Sequence, residues 1–303
     1  MAPVASPGSS PDAGEPLPGV AATPSTVASP RAQPAPFPSP SPGRSLPGAI
    51  LPAHRLVAYY GNPLAREMGI LGAAPSDEML ARLLRQVEAH TAADPAHPAQ
   101  PALELVTPAA QAAPGSDDLY RARMPSEVID KVAGWAESSN ALLILDVQVG
   151  RSSVADEVAV LEPWLKRPYV HLALDPEFAM ATDEVPGKVI GSMDAASINR
   201  TIGTLSRLVS EGGLPPKVLI VHRFTEDMVV RYRDIRTTPE VQVVMTMDGF
   251  GPPELKTAQY GRYVRDQPVQ FAGIKLFYTQ DKPLMSPADV LGLEPAPDVI
   301  IYQ

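Results

Sequence analysis

Short hydrophobic runs alternate with longer amphipathic stretches along this chain from about residue 53 onward. Eight runs rich in Val, Ile, Leu and Tyr lie at 55–61, 102–107, 141–148, 169–175, 218–224, 241–248, 272–278 and 298–303. Most are apolar at both parities, which is the pattern of parallel strands covered on both faces. Between them, apolar residues recur at helical spacing. Leu80, Leu83, Leu84 and Val87 follow Ser76, and Val128, Ile129 and Val132 follow Pro125 and Ser126. Val154, Val158 and Leu161 mark a shorter helix, and Ile198, Ile202, Leu205 and Val209 follow Asp194. Thr225 is expected to cap a helix carrying Met228, Val229 and Tyr232. Pro253 is expected to open one through Leu255 and Ala258, and Ser286 with Pro287 a last short one. A small polar cap or a first-turn proline before an apolar stripe is the signal used at each start.

Strict strand–helix alternation calls for right-handed crossovers and a parallel sheet. Eight such units predict a closed (β/α)8 TIM barrel over residues 53–303. The competing arrangement is an open doubly wound sheet, but no glycine-rich phosphate loop follows the first run. No internal repeat is visible.

Residues 1–52 break the pattern. They are built from Pro, Ala, Ser, Gly and Thr, with Pro34, Pro36, Pro38, Pro40 and Pro42 alternating with other residues. Such a stretch has too little apolar surface to offset its ordering entropy, so a disordered tail is expected. A spacer of this kind suits a secreted or surface-tethered protein, although no signal segment begins the chain. An inert tail is the alternative.

Composition narrows the chemistry. A formal net charge of -9 gives no general attraction to nucleic acid or anionic lipid. With no cysteine, disulfides, thiolate catalysis and Cys-ligated metals are excluded. No apolar run reaches membrane-spanning length. No His-x-His or HExxH spacing marks a metal, and no cofactor motif is present.

In a TIM barrel the chemistry sits at the C-terminal strand ends. Asp146, Asp175, Glu177 and Asp248 all follow apolar strands there. Carboxylates gathered in one cleft raise each other's pKa, and a raised carboxyl can donate a proton near neutral pH while a partner stays ionised. Two such groups are the minimum for glycoside hydrolysis. If the strand runs on through Pro176, Asp175 and Glu177 share a face, with Glu177 as the acid and Asp175 orienting it. The alternative is that these acids cap loops or pair with Arg151, Arg223 or Lys275. Asp248 lies in Asp-Gly-Phe-Gly, which also reads as a turn. Tyr60, Asn62, Asp146, Gln148, His222, Lys275, Tyr278 and Tyr302 are the expected substrate-binding groups. Aromatic faces among them suit sugar rings. His171 reads as a satisfied core histidine.

Three segments resemble the chitinase-like barrel family: RLVAYYGNP at 55–63, the Asp175-Pro176-Glu177 strand end, and VMTMD at 244–248. That resemblance implies a retaining, substrate-assisted glycosidase with Glu177 as acid/base, Asp175 as helper and Asp248 near the reacting sugar. Ala173 stands where the family has its first acid, and Met247 where it has a catalytic tyrosine. The YYGNP, LDPE and DGFG segments also resemble uncharacterised secreted bacterial proteins, which implies no activity. The reading is an extracellular hydrolase of a polysaccharide or cell-wall glycan. The rivals are a catalytically silent glycan-binding barrel and a hydrolase with a cation among Asp146, Asp175, Asp248 and His222. The oligomeric state is not legible.

Overall fold

The computed structural model describes residues 46–303; of the tail expected at 1–52, residues 1–45 lie outside the described residues. Eight parallel strands form a closed barrel. They are β1 (Arg55–Gly61), β2 (Ala99–Val106), β3 (Leu142–Val147), β4 (Val170–Leu174), β5 (Lys217–Arg223), β6 (Val241–Met247), β7 (Phe271–Leu276) and β8 (Val299–Tyr302). Closure is made by β1 against β8, with Leu56 opposite Val299 and Tyr59 opposite Tyr302. The open-sheet alternative is thereby removed.

The outer layer carries α1 (Ser76–Ala93), α2 (Ser126–Ser138), α3 (Val154–Leu165), α4 (Ala195–Gly212), α5 (Pro253–Tyr260) and α6 (Pro287–Leu291). Asp194 caps α4 through the amide of Ser197, and Ser286 with Asp289 forms a reciprocal capping box on α6. Ser76 and Ser126 are first helical residues, with no side-chain cap on either helix. No helix of the described residues is long and apolar enough to cross a membrane.

The helix expected from Thr225 does not form. Val229–Val230 instead make a short parallel ladder with Met193–Asp194. Two adjacent β-branched residues favour extended backbone, and Arg231 then turns left-handed at φ 57. A single 3-10 turn, Tyr232–Asp234, covers this side of the barrel.

Strand parity divides the core into two layers. Val57, Tyr59, Leu103, Leu105, Leu143 and Leu145 pack outward under the helices. Leu56, Ala58, Tyr60, Ala102, Val106, Ile144, Ala173, Ile220, Val244 and Ile301 pack inward. Leu51 joins this inner layer and is buried at the barrel's N-terminal end. Its backbone is held by Gln242, whose Oε1 accepts from the Leu51 amide at 3.2 Å and whose Nε2 donates to the Leu51 carbonyl at 2.6 Å. Ordered packing therefore begins before Pro52.

Candidate active site

The upper part of the barrel interior is polar. At inward parity stand Tyr60 on β1, Glu104 on β2, Asp146 on β3, His222 on β5, Thr246 on β6 and Lys275 on β7, all buried. Above them opens a cleft of about 500 Å3, lined by Tyr60, Gln148, Asp175, Glu177, Asp248, Lys275 and Gln303 and by Phe178, Phe224, Phe250 and Phe277. The structure thus brings together Tyr60, Gln148, Asp175, Glu177, Asp248 and Lys275, with Asp146 and His222 in the barrel interior.

Asp175 and Glu177 reach the cleft by a route other than strand periodicity. β4 ends at Leu174, and Pro176–Phe178 is a 3-10 turn. Proline, lacking an amide donor, ends the ladder. Asp175 Oδ1 accepts from the Glu177 amide at 3.1 Å, so one carboxylate shapes the turn that presents the other. Gln148 Nε2 stands 3.4 Å from Asp175 Oδ2 and donates to the Tyr60 hydroxyl at 3.1 Å.

Burial, reinforced by Asp175 and Asp248, raises the Glu177 pKa to about 8. Burial raises Asp175 to about 6, with the His222 charge opposing it. Burial likewise raises Asp146 to about 8, again against His222. His222 goes the other way from a lone buried imidazole. Burial pulls its pKa down, but Asp248 and Glu104 outweigh that and hold it well above its ordinary value. Its Nε2 lies 2.9 Å from Glu104 Oε1 and its Nδ1 3.4 Å from Asp248 Oδ2.

Neutralisation by basic residues is limited. Arg223 turns away from the cleft, donating to the carbonyls of Thr225 and Glu226 and lying against the rings of Tyr232 and Tyr263. Lys275 Nζ sits 3.4 Å above the centre of the Tyr60 ring rather than on a carboxylate. Arg151 donates to the Glu184 carbonyl and faces Asp118, so it does not pair with Asp146.

Three expected binding residues lie elsewhere. Tyr302 has outward parity and stacks on Tyr278 with ring centres 5.3 Å apart. Both face α1, where the Tyr302 hydroxyl is 2.9 Å from His90 Nε2 and Gln86 donates to the Tyr278 hydroxyl. Gln303, one residue on, lines the cleft instead. Asn62 is buried, donating to the Val106 carbonyl at 3.0 Å and accepting from the Leu64 amide, so it shapes the β1 exit loop. Met247 packs in the outer layer, which leaves no hydroxyl at that position. His171 accepts from the Val218 amide at the opposite end of the barrel.

Glu104 is the residue to which strand-end reading gives no role. Its signal was an acid inside Ala-Leu-Glu-Leu-Val, two residues from Ala102 and therefore inward-facing. Among the described residues, Glu104, Asp146 and His222 are the group whose ligand atoms converge, all within 4.8 Å of one another. Asp175 and Asp248, expected in such a set, are not members of it.

No family model matches the chain, and no curated protein matches it. Among solved structures, it is similar to a ruminal GH26 endo-β-1,4-mannanase, at 10% identity and TM-score 0.40, over 83% of this chain and 59% of that one. This chain thus spans less than two thirds of the mannanase. It is also similar to a glycoside hydrolase family 5 enzyme from Prevotella bryantii B14, at 11% identity and TM-score 0.40, over 76% of this chain and 78% of that one.

Proposed function

We propose that the barrel is an extracellular glycoside hydrolase acting on a polysaccharide or cell-wall glycan. The observation that carries this reading is Glu177. It is a half-buried carboxyl in an open cleft, raised to about 8, beside Asp175 and Asp248 and among aromatic rings. A carboxyl in that state is protonated at neutral pH and can deliver its proton to a glycosidic oxygen.

Asp248 is the opposing carboxylate. His222 Nδ1 stands 3.4 Å from its Oδ2. Glu177 gives its proton to the leaving oxygen as the C–O bond breaks. Asp248 offsets the positive charge that develops at the anomeric carbon; the oxygen of a water then bonds to that carbon as the water gives a proton back to Glu177, which restores the acid. Asp175 sets the turn and raises the Glu177 pKa. Phe250 and Phe277 stand edge to face at 6.0 Å on the cleft wall and offer apolar surface to sugar C–H groups.

The test is reducing-end release from a polysaccharide panel, comparing the wild type with Glu177→Gln. The variant should lose about 10²–10⁴-fold in kcat on natural glycans. On aryl glycosides with a good leaving group it should recover most of that loss, because such a group departs without a proton. Equal turnover by both proteins on natural glycans would remove Glu177 from the chemistry. Glycan binding without release by the wild type would favour the silent barrel.

A further inference from the structure

We propose that Glu104, Asp146 and His222 form a binding site for one divalent transition-metal ion inside the barrel, beneath the cleft. Asp146 is fully buried, and neither of its carboxylate oxygens has a hydrogen-bond partner among the described residues. Glu104 Oε2 is in the same position. Burying an unpaired carboxylate costs several kcal/mol, so such groups in folded proteins are paired, protonated or metal-bound.

The geometry fits the last of these. One ligand atom from each residue falls within a 4.8 Å span. His222 Nε2 and Glu104 Oε1 are 2.9 Å apart. Two ligands each about 2.1 Å from one ion and at right angles to each other are separated by about 3 Å. The second imidazole nitrogen, Nδ1, faces Asp248 Oδ2 at 3.4 Å. A carboxylate behind a ligating histidine is the usual device for fixing the ring and its tautomer. The three ligands come from β2, β3 and β5, so the barrel walls hold them rigidly.

The donor set selects the class of ion. One imidazole nitrogen disfavours Mg2+ and Ca2+, and two carboxylates without any thiolate disfavour Cu(I). Zn2+, Mn2+ and Co2+ match a mixed nitrogen–oxygen site. The ion would also offset the charge of Asp146, on which His222 and Lys275 already act. The site lies beneath the cleft rather than on its wall, and ion binding is read directly, whether or not a glycan is cleaved.

The experiment uses the full chain, stripped by prolonged dialysis against a chelator and titrated with ZnCl2, MnCl2 or CoCl2. Calorimetry, thermal unfolding and the Co2+ visible spectrum are the readouts. One equivalent should bind and raise the Tm, and the cobalt spectrum should show a protein-bound ion. Asp146→Asn and Glu104→Gln should each weaken binding by at least about a hundredfold. His97→Ala should not, since it removes only an exposed imidazole beside Asp94. Should both carboxylate variants fail to fold, the His54→Ala/His97→Ala protein with bound cobalt must still show nitrogen coupling from one imidazole. The proposal is overturned by any of three results: no binding up to about a thousandfold excess of all three ions, binding undiminished in Asp146→Asn, or loss of binding in His97→Ala.

Discussion

His222 Nε2 lies 2.9 Å from Oε1 of Glu104, and both side chains are fully enclosed by the barrel. The same ring faces Asp248 on its other side, so one imidazole stands between two carboxylates. Removing it leaves buried charge without a counterpart. His222→Ala should therefore cost about 3–5 kcal/mol of folding stability, measured by urea unfolding with a chelator present. A loss under 1 kcal/mol would mean that the ring contributes little to the stability of this cluster.

The Glu177 carboxyl sets the direction of the pH dependence. Its folded pKa, about 8, exceeds the ordinary carboxylate value. As a general acid it must hold its proton, so kcat should fall as pH rises through about 8. Asp175 raises this pKa and Lys275 lowers it. Asp175→Asn should move the alkaline limb to lower pH, and Lys275→Met should move it to higher pH. Limbs that shift together, or not at all, would assign the profile to another group. Stability follows the same linkage. Below the unfolded pKa Glu177 contributes no penalty, and between that value and about 8 its folded-state proton makes stability decline with rising pH. Glu177→Gln should flatten that part of the stability profile.

Leu51 should behave as a core residue despite its proline-rich neighbourhood. It is buried at the barrel's N-terminal end and held by Gln242. Leu51→Ala should cost about 2–5 kcal/mol in equilibrium unfolding. Truncation of residues 1–45 should leave the unfolding midpoint in place, whereas truncation through 52 should lower it. Equal midpoints for the two truncations would show that residues 46–52 carry no stability.

Lys256 on α5 ties two strand exits together. Its ammonium donates to the carbonyls of Gly249 and Lys275 and lies 2.9 Å from Asp281 Oδ2. Asp281 in turn accepts from the amides of Gly251 and Phe277. Lys256→Met should cost about 3–5 kcal/mol, because it strands the Asp281 charge. It should also lower kcat through displacement of Asp248 and Phe250, while Lys256→Met/Asp281→Asn should recover part of the stability. Thermal unfolding of the single and double variants, alongside turnover, checks both.

The barrel was legible because its strands are apolar at both parities, so each stood out as a run with little alternation. Glu177, Asp175 and Asp248 were legible because a charge directly after such a run has few places to go. Position at a strand end does not by itself say which side a residue faces; parity does. Tyr302 shares its face with Ile300 and points outward, whereas Gln303 points into the cleft. Glu104 escaped for the converse reason, since it is an acid within a strand rather than after one. The turn at Pro176 was hidden because Asp175 and Glu177 reach one cleft by a hydrogen-bonded bend that spacing alone does not encode.

The pairing of β1 with β8 has a consequence for biosynthesis. β8 is the last of the eight strands to be translated, and the ring cannot shut until it arrives. Until then Glu104, Asp146 and His222 can stay hydrated on a nascent, unsealed sheet. The energetic penalty of drying them is deferred to the closing moment, after translation of that part of the chain is complete.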